Sequence, residues 1–347
     1  MCLLYNVSKV TGHSDYNTAV AREDIMKNYD ITALGELLVD MTDNGIGRNG
    51  VPVLEANPGG APCNVLSMMS KLGKKTAFVG KVGNDGFGRM LADVLVKAGI
   101  DTTGLILDNK HNTTLAIVHT MPGGEREFSF YRKNCADTEL TPDEVNTELI
   151  RNSRIFHFGS LSMTSQPVQS ATERSIETAK AAGALISFDP NLRPSLWDDL
   201  ETARERIDHG MRMCDVLKIS DNEVEWFLGT NDYRAAAEEL RKRYSIPLVL
   251  VTLGKDGSLA LSENGFAQCA GFRVNSIEAT GAGDSFCGCV LNYILEHGFH
   301  DYADGKLTEM LTFANAAAAI VTTRKGALNS MPDRSLINTL INDRRFV

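Results

Sequence analysis

An α/β fold, with a mostly parallel central sheet covered by helices on both faces and a small β-sheet lid, is predicted by three features of this chain. Short apolar runs rich in β-branched residues alternate with segments whose apolar positions recur every three or four residues. Two stretches, about 41–56 and 105–132, depart from that alternation and read as strands divided by Gly and Asn turns. The chain has 347 residues and 43% apolar content, enough for one large core that carries such an insertion.

Taken in order, residues 1–28 are polar and poorly periodic and read as an N-terminal extension ahead of one domain spanning 29–347. From Ile31 onward come strands such as Ala77-Phe78-Val79, Ile155-Phe156-His157-Phe158, Leu185-Ile186-Ser187-Phe188, Val216-Leu217-Lys218-Ile219 and Leu248-Val249-Leu250-Val251. A further strand is expected over 272–277. Helical periodicity fits 61–72, 89–98, 169–182, 200–213, 235–244, 285–297 and 308–323. No repeat of fixed period and no Pro/Gly/Ser-rich linker divides the chain.

Composition excludes several classes. A net charge of −9, a pI near 5.4 and the lack of any Lys/Arg run argue against a nucleic-acid surface. Seven cysteines, without a CxxC pair or a Cys/His metal spacing, suit reduced thiols, and Cys63, Cys287 and Cys289 read as small core residues. No apolar stretch approaches the roughly eighteen residues of a membrane span, and no basic-then-apolar leader opens the chain. The expectation is a soluble, cytoplasmic protein that binds small molecules. Gly45-Ile46-Gly47-Arg48-Asn49-Gly50 matches the GxGxxG dinucleotide pattern, but Val51-Pro52-Val53 follows where a helix should begin, so a turn is expected instead. A Walker loop is absent, since no Gly-Lys-Ser/Thr closes a glycine run.

Three constellations carry chemistry. Thr280-Gly281-Ala282-Gly283-Asp284 sets small backbone and one carboxylate where a helix begins. Free amides and the positive end of the helix dipole there suit a phosphate, and Asp284 can accept a proton from a hydroxyl attacking it. Read alone, the same residues also make a tight turn with an N-cap. Near the front, Asp40 ends a strand, and Gly59, Gly60 and Asn64 lead into a helix. In parallel sheets ligands bind beyond the carboxyl ends of strands, so these groups suit a polyhydroxylated molecule, though each segment alone is also a capped turn. Third, after the strand bearing Lys218 come Asn222 and Glu225, and after the next strand Thr252, Gly254 and Gly257. Glu225 can hold the water shell of a magnesium ion, and the Thr252 to Gly257 groups can meet a phosphate tail. A solvated helix start and a hairpin turn are the plainer readings of these two segments.

In this order the segments resemble the PfkB (ribokinase-like) family of carbohydrate kinases, over residues from about 30 to 335. Gly59-Gly60 with Asn64, and Gly80-Lys81-Val82-Gly83-Asn84-Asp85-Gly86-Phe87-Gly88, look like the family's first signature, and 280–284 like its second. The resemblance implies a ribokinase-like three-layer α/β/α fold with a sheet of nine or so strands and a β-lid. It implies Asp284 as catalytic base, with the Gly281, Ala282 and Gly283 amides as anion hole. Asp40, Gly59, Gly60 and Asn64 would bind sugar. Asn222 and Glu225 would order magnesium and phosphate. Thr252, Gly254 and Gly257, with Lys218 and Asn315, would hold ATP. Phe128-Ser129-Phe130-Tyr131-Arg132 with Ala136-Asp137, the run Asp189-Pro190-Asn191-Leu192-Arg193-Pro194-Ser195-Leu196-Trp197, and Thr323-Arg324-Lys325-Gly326-Ala327 are most similar to the fructokinase branch. There Arg132, from the lid, and Arg193 would reach a sugar hydroxyl or the developing phosphate charge. Kinases for 2-keto-3-deoxygluconate share parts of these segments, and such a kinase, a ribokinase or another sugar kinase of the family is the alternative. Glu278 stands where the family usually has an aspartate that helps bind a monovalent cation such as K+, beside Thr280, Arg324, Gly326 and Ser330; the longer carboxylate either ligates the ion or displaces it. The expected activity is ATP-dependent phosphorylation of a primary sugar hydroxyl, fructose first among the sugars. A catalytically silent sugar sensor is the non-enzyme alternative, and a lid edge suggests a homodimer.

Overall fold

A computed structural model describes residues 27–120, 126–300 and 302–343. The expected extension lies outside the described residues up to position 26, as do residues 121–125 of the second lid segment. Lys27, assigned to the extension, belongs to the folded body: its ammonium donates to the carbonyls of Arg151, Ser153 and Ala182 at 3.0, 3.1 and 2.7 Å.

In chain order the elements are β1 (Tyr29–Leu34), β2 (Leu38–Ile46), β3 (Pro52–Gly59), α1 (Ala61–Lys71), β4 (Thr76–Gly83), α2 (Gly86–Lys97), β5 (Ile100–Asp108), β6 (Leu115–Thr120), β7 (Arg126–Tyr131), α3 (Thr147–Arg151), β8 (Ser153–Gly159) and α4 (Val168–Ala181). They continue with β9 (Leu185–Asp189), α5 (Leu200–Met213), β10 (Val216–Ser220), α6 (Asp221–Leu228), α7 (Tyr233–Tyr244), β11 (Leu248–Thr252), β12 (Ser258–Leu261), β13 (Phe266–Cys269), α8 (Ala282–His297), α9 (Asp304–Thr322) and α10 (Arg334–Asn342). Among the described residues they form a nine-stranded sheet, ordered β13-β12-β11-β10-β9-β8-β1-β4-β5, and a four-stranded sheet, ordered β3-β2-β6-β7. The large sheet is parallel from β5 through β11, and only the β11–β12–β13 edge is antiparallel.

Strand alternation builds the three layers. Leu248 and Leu250 of β11 enter one apolar core with α1, α2, α8, α9 and α10, while Val249 and Val251 enter the other with α3 to α7. Both faces are buried, which is why the strands read as continuous apolar runs. Helix starts follow local polar chemistry: the Asp85 carboxylate accepts from the Gly88 amide at 2.8 Å and Asp199 from Thr202 at 2.7 Å, while Ser220 and Glu223 form a capping box.

Residues 47–51 form the turn between β2 and β3, so the GxGxxG stretch is a hairpin, as its proline indicates. The structure differs from expectation in two places. Residues 105–108 belong to β5, which pairs parallel to β4 in the large sheet, and the second lid hairpin starts at Leu115. An edge strand covered on one face alternates like a lid strand, so the pattern does not separate them. The strand expected at 272–277 does not form: Ile277 is exposed, and the segment runs past the β13 edge along the cleft described below.

Candidate active site

A cleft of about 1420 Å³ opens along the carboxyl ends of the parallel strands, between the large sheet and the lid. Two helices point their N-termini into it. Helix α1 begins after Gly60, whose φ of 119° and whose contact with the Glu36 carbonyl leave no room for a Cβ. Helix α8 begins after Gly281, at φ 83°, with no side chain capping its first turn. Of the expected Gly281, Ala282 and Gly283 amides, that of Ala282 donates back to the Ala279 carbonyl at 3.2 Å, so the first-turn amides facing the cleft as an anion site requires are those of Gly283 and Asp284. The two helices pack closely because Gly288 lets the Met68 side chain approach; a Cβ there would sit 2.9 Å from the Met68 Cβ.

That packing brings Asn64 of α1 to Asp284 of α8, the amide donating to the carboxylate at 2.7 Å. The Oδ1 atom of Asn64 is buried without a hydrogen-bond partner, an acceptor left for a donor such as a sugar hydroxyl. Burial, reinforced by the nearby Asp189 charge, pushes the Asp284 carboxyl up to about 6, against the pull of Asn64, Lys218 and Arg193. Asp284 is thus a carboxylate at neutral pH with raised basicity, suited to accept a proton.

On one side of Asp284 stand Asp40, Gly60 and Asn64; Asp40 is 9% exposed and lines the cleft. Gly59 acts from behind, since a Cβ there would overlap the Asp40 carboxylate. Phe128 and Phe130 of the lid and Arg193 face the same space, with the Arg193 guanidinium 6.0 Å from the Phe128 ring centre. On the other side, Lys218, Asn222, Thr252, Gly254, Gly257 and Asn315 line the cleft. The Asn315 side chain also ties α9 to the antiparallel edge, accepting from Ser258 at 2.8 Å and donating to the Cys269 and Ala270 carbonyls at 3.2 and 3.3 Å.

Two expected residues sit elsewhere. Glu225 is exposed, bonded by the Tyr233 hydroxyl at 2.7 Å, and does not line the cleft. The carboxylate that faces the cleft is Glu223, which accepts from the Leu192 amide at 2.7 Å and from the Ser220 amide and hydroxyl at 2.8 Å. Two positions along a helix are about 200° apart, so only one of the pair can point inward. Arg132 is buried outside the cleft lining, its guanidinium held by Asp137 at 2.7 Å, Thr164 at 3.0 Å and the Leu161 carbonyl at 2.8 Å. It fastens the lid base to the core, through Leu161 at the cleft wall.

Behind the Thr280 turn, Glu278 accepts from the Gly326 amide at 3.3 Å, Arg324 donates to the Ser330 carbonyl at 3.2 Å, and the Ser330 hydroxyl donates to Ala327 at 2.7 Å. The expected cation-binding residues Glu278, Arg324, Gly326 and Ser330 therefore gather on adjoining loops, rich in oxygen donors. Among the described residues no group of three or more His, Cys, Asp or Glu side chains is placed to hold a metal ion, and no helix is long and apolar enough to cross a membrane.

Sequence reading missed two buried groups. Glu36 lines the cleft and accepts from the Ala61 amide at 2.8 Å; burial drives its carboxyl up to about 7, with Asp137 adding to the rise and Arg132 and backbone amides opposing it. Asp189 pairs with the Lys218 ammonium at 3.0 Å. Asp189 ends β9 and Glu36 lies two residues beyond the end of β1, both just past the carboxyl ends of strands, a position from which they were recoverable.

The pfkB family carbohydrate kinase pattern matches residues 30–334. Fructokinase-1 of Zea mays is 41% identical over 313 residues, 90% of this chain and 97% of that protein. The crystal structure of a fructokinase with bound ATP from Xylella fastidiosa is similar with a TM-score of 0.82 and 31% identity, covering 91% of this chain and 99% of that one. A fructokinase double mutant from Vibrio cholerae, in a fructose-, ADP- and potassium-bound form, gives a TM-score of 0.80 and 29% identity over 90% and 99% of the two chains.

Proposed function

This chain belongs to the pfkB family of carbohydrate kinases, and on that premise we propose that it transfers the γ-phosphate of ATP to a primary hydroxyl of fructose, at O6 or O1. The observation that carries the reading is Asp284: a carboxyl of raised basicity, bonded to Asn64, at the uncapped start of α8 in the middle of one cleft. Sugar lies toward Asp40, Gly60 and Asn64, and ATP toward Thr252, Gly254, Gly257 and Asn315. Asp284 takes the hydroxyl proton while the oxygen attacks the γ-phosphorus. The bond from that phosphorus to the bridging oxygen breaks, and ADP leaves with its electron pair. The Gly283 and Asp284 amides and Arg193 face the charge on the moving phosphoryl group. Magnesium arriving with ATP neutralises phosphate charge, and the oxygen donors of Asn222 and Glu223 suit such a hard, hydrated cation. The Glu278 loop cluster fits K+, matching the ion named for the Vibrio cholerae protein.

The reading extends to the assembly and its setting. The lid hairpin exposes Ile46 at the end of β2, Val51 in the turn, and Val53 and Leu54 on the edge strand β3, which supports a homodimer joined through the lids. Free cysteines support a reducing, cytoplasmic setting.

The test is an ADP-release assay with ATP and magnesium over fructose, ribose and 2-keto-3-deoxygluconate, with and without K+. Preference for fructose is expected. Turnover confined to the acid sugar would reassign Arg193 to its carboxylate, and sugar binding without any turnover would leave a sensor.

A further inference from the structure

Beneath the catalytic turn lies a buried ion pair between Lys218, which also lines the ATP side of the cleft, and Asp189, which the proposed reaction does not use. Lys218, from the middle of β10, sets its ammonium 3.0 and 3.2 Å from the two carboxylate oxygens of Asp189, from the end of β9. Both side chains are buried, and the Lys218 ammonium is 3.2 Å from where a Gly283 Cβ would stand. The pair therefore underlies the first turn of α8, next to Asp284. We propose that Lys218 and Asp189 are a positioning pair for the base, Asp189 holding the Lys218 ammonium in place from beneath the cleft so that Lys218 supplies the buried positive charge beside which Asp284 stays ionised.

Arg193 also favours the ionised form of Asp284, but less than Lys218 does. Asn64 is neutral, and Arg193 is partly exposed and turned toward the Leu192 carbonyl and the Phe128 ring. His157 of β8, bonded to Ser187, is driven down to about 3 by burial and then by Lys218, so it is uncharged. Burial likewise keeps the Cys287 thiol, on the same helix, protonated. Glu223 from α6, Glu278 from the preceding loop, and Asp40 and Glu36 from the lid stem are acidic and add no positive charge to the cleft. Burial alone would discharge Lys218, but Asp189, then Glu223 and Asp284, hold its ammonium above the usual range.

The inference rests on Asp284 as base, and its test separates the two ideas. The Asp284 carboxyl is followed by carbon NMR in protein labelled at aspartate, its signal identified by loss in Asp284→Asn, across pH 4 to 9 in wild type, Asp189→Asn and Lys218→Gln. Its midpoint is expected to fall by about one unit in Asp189→Asn and to rise by about one unit in Lys218→Gln; Lys218→Arg, which keeps the charge, serves if Lys218→Gln does not fold. A midpoint unmoved by both changes overturns the pair's role. The acid limb of kcat/KM should move with the carboxyl. A carboxyl that moves while the limb stays fixed upholds the pair and removes Asp284 as the base.

Discussion

At the scale of single residues, Asp284 trades stability for reactivity. Its carboxyl is raised from the ordinary 3.8 to about 6, chiefly by burial and then by Asp189. The folded protein therefore binds that proton more tightly than the unfolded chain. Stability from this group is fully present below about pH 4 and is lost as pH rises through about 6. At neutral pH the ionised carboxylate costs on the order of 1–3 kcal/mol, the upper figure reduced by its partial access to the cleft. Asp284→Asn removes the charge but keeps the shape and an acceptor for Asn64. The variant should melt a few degrees higher than wild type at pH 7.5, with the gap closing near pH 4, while turnover falls by about a hundredfold or more. Melting curves at the two pH values decide it: no gain at pH 7.5 would mean that the site is not strained by this charge.

Between residues and domain, the elements explain which parts of the site were legible beforehand. Helix α5 runs Leu200–Met213 as its periodicity predicts, because one apolar stripe and the Asp199 cap agree on its limits. The α8 turn was legible because glycines beside a carboxylate at a helix start have few other uses, even though no strand precedes them. Glu223 and Glu225 could not be ranked from spacing alone, since both follow a helix start and only the fold decides which faces the cleft. Residues 272–277 alternate like a strand but lack a partner at the sheet edge, so no ladder forms. Arg132 was read as a substrate contact because a lid arginine in a sugar pocket has that chemistry available; its ion pair with Asp137, five residues on, was not read from the sequence. That geometry yields a prediction about how the lid is attached. Arg132→Met leaves Asp137 buried and uncompensated, and should cost about 3–5 kcal/mol of stability. Adding Asp137→Asn should restore part of the loss, because the two changes remove one shared interaction. Denaturant unfolding of the three variants measures the coupling; independent, additive losses would show that the lid base does not depend on this pair.

For the molecule as a whole, function depends on two sheets meeting at one cleft, and the weaker of them is the lid. The large sheet is packed on both faces by helices, whereas the lid has four strands and exposes Ile46 at 70% and Val51 at 58% on its outer hairpin. Such a sheet gains little from burial on its own face, yet it carries Asp40 and Phe128 into the site. Pairing two lids across a twofold axis would cover the apolar edge and stiffen the sugar side of the cleft together. Sedimentation at micromolar concentration should therefore report about twice the 37.8 kDa chain mass. Val53→Lys with Leu54→Lys, which places charge on that edge and touches no residue lining the cleft, should give monomers with a raised KM for sugar and a smaller change in KM for ATP. A wild-type monomer under these conditions would end the dimer proposal. A charged variant that becomes monomeric with both constants unchanged would show that each lid is rigid without its partner, and that the exposed apolar edge serves assembly alone.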